Sequence, residues 1–312
     1  MDVQFDPISS SVISAASIGT TWIVLSSVWN KRSLRPHSSA AFYANFLFAA
    51  TVAYIWVAHR LSIPYVNVIP FLFDYVITGG KARHCLLLFW LICLSASVIF
   101  MIAAANQTQE ITTVHRKFFH LTVSLIAVAG LQYDPQLTTL AVVLVACAFA
   151  CIECIRSLQV QPFAGWLDGA CIVFLDEQDS HSLILTPFYL LVGVFSPLFL
   201  SPAATASQVT LKHFAGVATV GVGDSMAAIC GRRFGRTKWP GSRKSVEGSL
   251  ALVVSQSIAL LLAIHLLKKY ELLTFGYFCY ILLGAFVCAI VEGVCRSADN
   301  IILPFVGYWF LR

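Results

Sequence analysis

An aspartate closing a small-residue, apolar segment, followed at once by a basic loop punctuated with glycine, is the feature of this chain best suited to chemistry. The segment reads Gly221-Val-Gly-Asp224, and the loop runs from Gly231 to Glu247 with Arg232, Arg233, Arg236, Lys238, Arg243 and Lys244 in it. Those six belong to a total of 20 Lys and Arg, whereas only one of the 15 acids, Glu247, shares the loop. Elsewhere 14 basic residues face 14 acids, so the formal net charge of +5 is local. Positive charge gathered beside a carboxylate at membrane depth suits a polyanion, and a nucleotide with its metal is the leading candidate.

The residue types say what each part can do. An unpaired acid at that depth is costly, so Asp224 is expected to meet a cation or a metal; Mg²⁺ typically takes one or two carboxylates together with substrate phosphates. If 211–230 is helical, Asp224 shares a face with Ala227, Ala228 and Gly231, over which another backbone or a ligand can approach closely. Gly221 and Gly223 predict a kinked or broken helix whose free N–H groups meet phosphate. In the loop, Gly231, Gly235 and Gly241 allow turns and close approach to an anion. Lys238, Arg243 and Lys244 supply mobile charge, and Trp239-Pro240 fixes a turn and offers a ring to stack on a base. Ser245 and Glu247 are placed to cap the next helix. The pattern is neither a P-loop nor a dinucleotide fingerprint, because no Gly-Lys-Ser/Thr follows and no third small residue completes Gly221-x-Gly223. The plainer alternative is a packing Asp paired with a basic residue, beside a loop that only orients the helices.

Three further groups carry charge on apolar helices. In His115-Arg-Lys-Phe-Phe-His120, Arg116 and His120 are four apart and share a face, as residues of an interfacial anchor also would. Glu292, Arg296 and Asp299 form one polar stripe at i, i+4 and i+7, either a closed pairing or a source of one acid for a metal. Glu153 with Arg156, and Asp176 with Asp179, are less specific.

The elements that must position these residues are membrane helices. The chain is 58% hydrophobic and 11% charged, with a mean hydropathy of +0.81, against about 25% charged in a soluble domain. Apolar runs near the bilayer length of about 20 residues recur, at 10–29, 40–58, 64–79, 85–105, 118–133, 137–155, 183–200, 211–230, 247–266, 273–294 and 301–311. Pro64 and Pro70 interrupt the third, 163–175 is too short to cross, and the last is short. The expectation is all-α: a polytopic helical bundle with nine to eleven transmembrane helices. The first span is expected to act as an uncleaved signal. Basic loops at 31–35, 81–83, 116–117, 232–244 and 268–269 compete for the cytosolic side, and 232–244 has the largest excess. The sequon at Asn106 is read as unused because Arg116-Lys117 lies close by. The ten cysteines fall mostly within apolar runs and read as packing residues; Cys151-x-x-Cys154 has no second pair.

Together these residues resemble the CTP-dependent polyprenol kinase family. The resemblance is carried by Arg116-Lys-Phe-Phe-His120, by Leu175-Asp-Glu-Gln-Asp-Ser180 with Leu183-Ile-Leu-Thr-Pro187, and by Val220-Gly-Val-Gly-Asp-Ser-Met-Ala-Ala-Ile-Cys-Gly231. It continues through Lys238-Trp-Pro-Gly-Ser-Arg-Lys-Ser-Val-Glu-Gly248 and Glu292 with Asp299-Asn-Ile-Ile-Leu-Pro304, in the family's order. It divides the chain into N-terminal membrane helices without motif, 1–105, and a kinase-like catalytic core, 106–312. It implies transfer of the γ-phosphoryl group of CTP to the terminal hydroxyl of dolichol at the endoplasmic reticulum, with a divalent cation such as Mg²⁺. On that reading Asp224 binds the metal or polarises the alcohol. Lys238, Gly241, Arg243 and Lys244 hold the triphosphate with Gly221 and Gly223. Arg116, Lys117 and His120 form a second polar wall, and Asp299 is a second metal or base candidate. CTP rather than ATP follows from the resemblance alone. The alternatives are another prenol or phytol kinase, a CTP-dependent phosphatidate cytidylyltransferase, and a transporter, which would spread polar residues over both halves of the chain.

Overall fold

The computed structural model describes residues 6–32, 39–105, 113–171, 183–203, 205–295 and 299–311. Asp176, Asp179, Arg296 and the sequon at 106–108 lie outside them. The described residues are helical, with no strand longer than an isolated bridge. In chain order the α-helices are α1 (Pro7–Arg32), α2 (Ser39–Leu61), α3 (Val68–Ile77), α4 (Gly80–Ala105), α5 (Thr113–Tyr133), α6 (Pro135–Ser157), α7 (Ala164–Cys171), α8 (Thr186–Leu200), α9 (Ser225–Phe234), α10 (Val246–Leu266), α11 (Phe275–Val294) and α12 (Asp299–Trp309). A 3₁₀ turn, Leu211–Phe214, and a π-helix, Val217–Asp224, lead into α9.

Seven of these helical runs are long and apolar enough to cross a membrane: α1, α2, α4, α6, the run Leu211–Phe234, α10 and α11. The prolines at 64 and 70 have the expected effect, since the third predicted span shrinks to a 3₁₀ turn and the ten residues of α3. Helix α7 has eight residues, too few to cross. The run Leu211–Phe234 is 67% buried and no other exceeds 39%, so the helix bearing Asp224 is the most enclosed.

The fold divides into two compact units, residues 1–88 with 136–187 and residues 89–135 with 188–312. In the first, α1 packs on α2, and Ala15, Val57, Ala58 and Val68 form a core. Its polar clasp is Arg156, buried on α6, which donates to both oxygens of Glu153 (2.9 and 2.6 Å) and to Asp168 of α7 (3.2 Å). Glu153 also accepts from the Ile184 N–H at 2.9 Å, so the Glu153–Arg156 pair ties chain segments together rather than binding a ligand.

In the second unit, α5, α9, α10, α11 and α12 surround the π-helix. Helix α10 shows why such a helix is stable in lipid. Leu250, Val254, Ile258 and Leu262 form an exposed stripe at four-residue spacing, while Ser249, Leu252, Gln256 and Leu260 are buried. Lipid tails are as apolar as leucine, so helices associate through close packing and hydrogen bonds rather than through burial of oil from water. Close packing is supplied by glycine: a Cβ on Gly248 would stand 3.2 Å from Gly231 Cα and 2.7 Å from the Ala227 carbonyl. The small face of α9 therefore receives helix α10.

Candidate active site

Asp224 ends the π-helix and is 6% exposed. Its Oδ2 forms an ion pair with Nζ of Lys117, and His120 Nε2 lies 3.6 Å from the same oxygen. Lys117 and His120 sit three apart on α5 and so share a face. Helix α5 comes this close because Gly221 has no side chain: a Cβ there would lie 1.9 Å from Ser124 Oγ. Gly223 packs likewise, its would-be Cβ 3.2 Å from Leu252 Cγ. Both glycines are buried in helix contacts. The broken helix expected there is a π-helix instead, whose wider turn sets Asp224 against α5. The backbone opening to phosphate expected of Gly221 and Gly223 is filled by α5 and α10.

A second cluster centres on Lys244. Its Nζ donates to Asp299 Oδ2 (2.8 Å) and to the Glu292 carbonyl (2.8 Å), and stands 3.1 Å from Glu292 Oε1. Burial works against the charge of Lys244, but Asp299 and Glu292 outweigh it and hold the ammonium above its ordinary value. Lys244 and Glu292 are both near enough for their charges to act on Asp224. One enclosed region of the second unit thus holds three carboxylates, Asp224, Glu292 and Asp299, against two ammonium groups, Lys117 and Lys244. The single polar stripe expected across 292–299 is not on one helix: α11 ends at Val294, Cys295 is extended, and Asp299 opens α12. Lys244 joins the two acids that helix periodicity alone would have stacked.

The basic loop is a tight, hairpin-like turn. Trp239 N–H donates to the Lys244 carbonyl (3.1 Å), and Val246 N–H to that of Thr237 (2.9 Å). Gly241 sits at the tip with φ +69°, a left-handed conformation natural to glycine. Ser245 caps α10, accepting from Gly248 N–H at 3.2 Å. Glu247 instead turns back to accept from Thr237 N–H (3.0 Å). Trp239 is committed inward rather than left to stack on a base. Its Nε1–H donates to Ser249 Oγ (2.9 Å), and its ring lies where a Cβ on Gly293 would collide, at 2.5 Å. Ser249 Oγ is also 3.3 Å from Glu292 Oε2, which links the loop to the carboxylates.

Among the expected site residues, Asp224, Lys117, His120, Lys244 and Asp299 therefore gather in one unit. Lys238 and Arg243 are exposed on the loop, where Lys238 Nζ donates to the Arg243 carbonyl (3.0 Å). Arg116 contributes its carbonyl oxygen, 3.2 Å from His120 Nδ1. Because a carbonyl only accepts, Nδ1 carries the proton and Nε2 presents a lone pair. Asn300, Ser124 and Ser249 belong to the neighbourhood although the sequence assigns them no role. Their signal is faint: single small polar residues on otherwise apolar helices.

No group of three or more His, Cys, Asp or Glu side chains among the described residues is arranged to hold a metal. The donor set fits an ion that arrives with phosphate, because one or two carboxylates suffice there. The excess of one negative charge in an enclosed site also favours a cation.

The chain is similar to curated dolichol kinases. It is 29% identical over 237 residues to that of Mus musculus, covering 72% of this chain and 44% of the relative. It is 29% identical over 261 residues to that of Homo sapiens, covering 79% and 47%. The dolichol kinase sec59 of Schizosaccharomyces pombe is 29% identical over 302 residues, covering 91% and 58%. The chain spans about half the length of these relatives. No protein-family model matches it, and no solved structure does.

Proposed function

We propose that this chain, similar as it is to dolichol kinases, transfers the γ-phosphoryl group of CTP to the terminal hydroxyl of dolichol, giving dolichyl phosphate. The observation that carries the reading is the enclosed cluster of three carboxylates and two lysines beside the chain's most basic loop. Phosphoryl transfer asks for positioning and neutralisation of charge more than for covalent chemistry, and these groups supply both. Lys117 and Lys244 neutralise phosphate oxygens, while Lys238 and Arg243, on the turn made by Gly241, receive the rest of the nucleotide. Arg116 and His120 line the acceptor side. Asp224 and Asp299 are the carboxylates that would hold a divalent ion such as Mg²⁺ together with the phosphates. When bound, that ion supplies positive charge to the transferring group. The triphosphate offers Lys117 and Lys244 an anionic partner in exchange for the carboxylates they now hold.

The protein works in the endoplasmic reticulum membrane, crossing it nine to eleven times, as α5 and shorter helices such as α8 join the seven long apolar runs. The loop 232–244 faces the cytosol. The test uses purified protein in detergent with dolichol, Mg²⁺ and CTP labelled either in the γ-phosphate or in the base. Label from the γ-phosphate alone enters the lipid and disappears with Asp224→Ala. Base label in the lipid would mean a cytidylyltransferase, and no transfer by folded protein would remove the enzyme reading.

A further inference from the structure

Two buried polar atoms at this site lack a hydrogen-bond partner, His120 Nε2 and Asn300 Oδ1. The Asn300 side chain reaches the His120 ring without completing a hydrogen bond of good geometry. The tautomer explains the gap. With Nδ1–H given to the Arg116 carbonyl, Nε2 is an acceptor, and two acceptors cannot satisfy one another. Asp224 Oδ2, 3.6 Å from Nε2, is a third acceptor, but Lys117 already serves it. What is missing between His120 and Asn300 is a donor.

Neither residue is free to turn away. His120 is 4% exposed. Asn300 lies in the first turn of α12, its N–H given to Asp299 Oδ1 at 2.9 Å, and Asp299 is itself held by Lys244. The Asn300 carbonyl lodges against α8, where a Cβ on Gly193 would lie 2.1 Å from its oxygen. The unmet acceptors are thus fixed by elements of the second unit. An imidazole and an amide are both neutral and stand beside the Lys117 ammonium, so a small neutral donor suits them better than a second cation.

We infer that His120 Nε2 and Asn300 Oδ1 form the seat of the acceptor's hydroxyl group. The O–H donates to both in a three-centre hydrogen bond, and the oxygen's lone pairs stay turned toward the phosphoryl donor. Asn300 is then a positioning residue for the alcohol. This rests on the prenol kinase reading above and adds which side chains read the alcohol.

The test compares a polyprenol with its methyl ether, which keeps the oxygen and the chain but cannot donate. Each competes with radiolabelled polyprenol for binding to the full chain in detergent, and labelled CTP binding is measured in parallel. The wild type is expected to prefer the alcohol by about tenfold or more, as sites built to bond a hydroxyl do. Asn300→Ala brings the ratio close to one and leaves CTP binding unchanged. Asn300→Asp, which keeps an oxygen in place, retains the preference. An active wild type without preference would overturn the inference. So would an alanine variant that keeps the preference or loses CTP binding along with it. If the alanine variant does not fold, the decision falls to Asn300→Asp, whose loss of preference while folded overturns the inference. A wild type that binds the prenol but passes γ-label to none instead overturns the kinase reading.

Discussion

Lys117 and Asp224 neutralise each other inside the protein, so removing either one leaves a buried charge alone. Breaking such a pair from one side costs about 3–5 kcal/mol, whereas removing both charges together is far milder. Lys117→Met should therefore lower the thermal midpoint in detergent, and Lys117→Met with Asp224→Asn should recover much of it while remaining inactive. A double variant no more stable than the single one would sink the pairing. Lys244 adds a pH signature. Its ammonium is held above the ordinary lysine value of 10.5 after burial is outweighed by Asp299 and Glu292. A raised pKa in the folded state means that the stabilisation is complete below the unfolded value and is lost as pH rises through the folded one. Stability should thus fall at alkaline pH above about 10.5, and the fall should be shallower in Lys244→Met, as read by unfolding midpoints across that range.

Between elements, glycine decides which helices touch. Gly221→Val should displace α5 and with it Lys117 and His120, lowering phosphoryl transfer by at least about tenfold, since small misplacements of reacting groups cost that much or more. Adding Ser124→Ala removes the nearest colliding atom and should return part of the activity; no recovery would mean that Gly221 serves something other than α5. The loop obeys the same logic. Trp239 is pinned by Ser249 and Gly293, so Trp239→Ala should expose the 232–244 loop to trypsin, and CTP should protect it less well than in the wild type. Much of this was legible in the sequence, for physical reasons. Asp224 and the basic loop announced themselves because charge is scarce in an apolar chain. The interruption of the third span followed from two prolines. The π-helix was not legible, because Val, Ala and Gly at 217–223 carry no polar marker whose spacing could reveal a period other than 3.6. Glu292 and Asp299 were read on one helix because their spacing suits one, and nothing in the residue types of 293–298 marks the extended Cys295. Asn300 stayed silent since one amide beside an acid looks like a helix cap.

Across the whole molecule, charge and hydropathy agree. The exposed leucines, valines and isoleucines of α10 face lipid, and the excess of basic residues lies in one short loop. An Asn-x-Thr acceptor inserted at 241–242 should remain unglycosylated in cells if that loop is cytosolic; a glycosylated product would invert the topology proposed above. The π-helix from Val217 to Asp224 has a consequence at the level of the gene. Such helices relate to α-helices as a lengthened turn, so deleting a single codon within it offers the backbone a route back to ordinary periodicity. Each residue of an α-helix turns by about 100°, and Asp224 would then swing round the helix away from Lys117. A one-residue deletion in a membrane helix usually reads as a length change; here it is a rotation, capable of silencing the site while sparing the span.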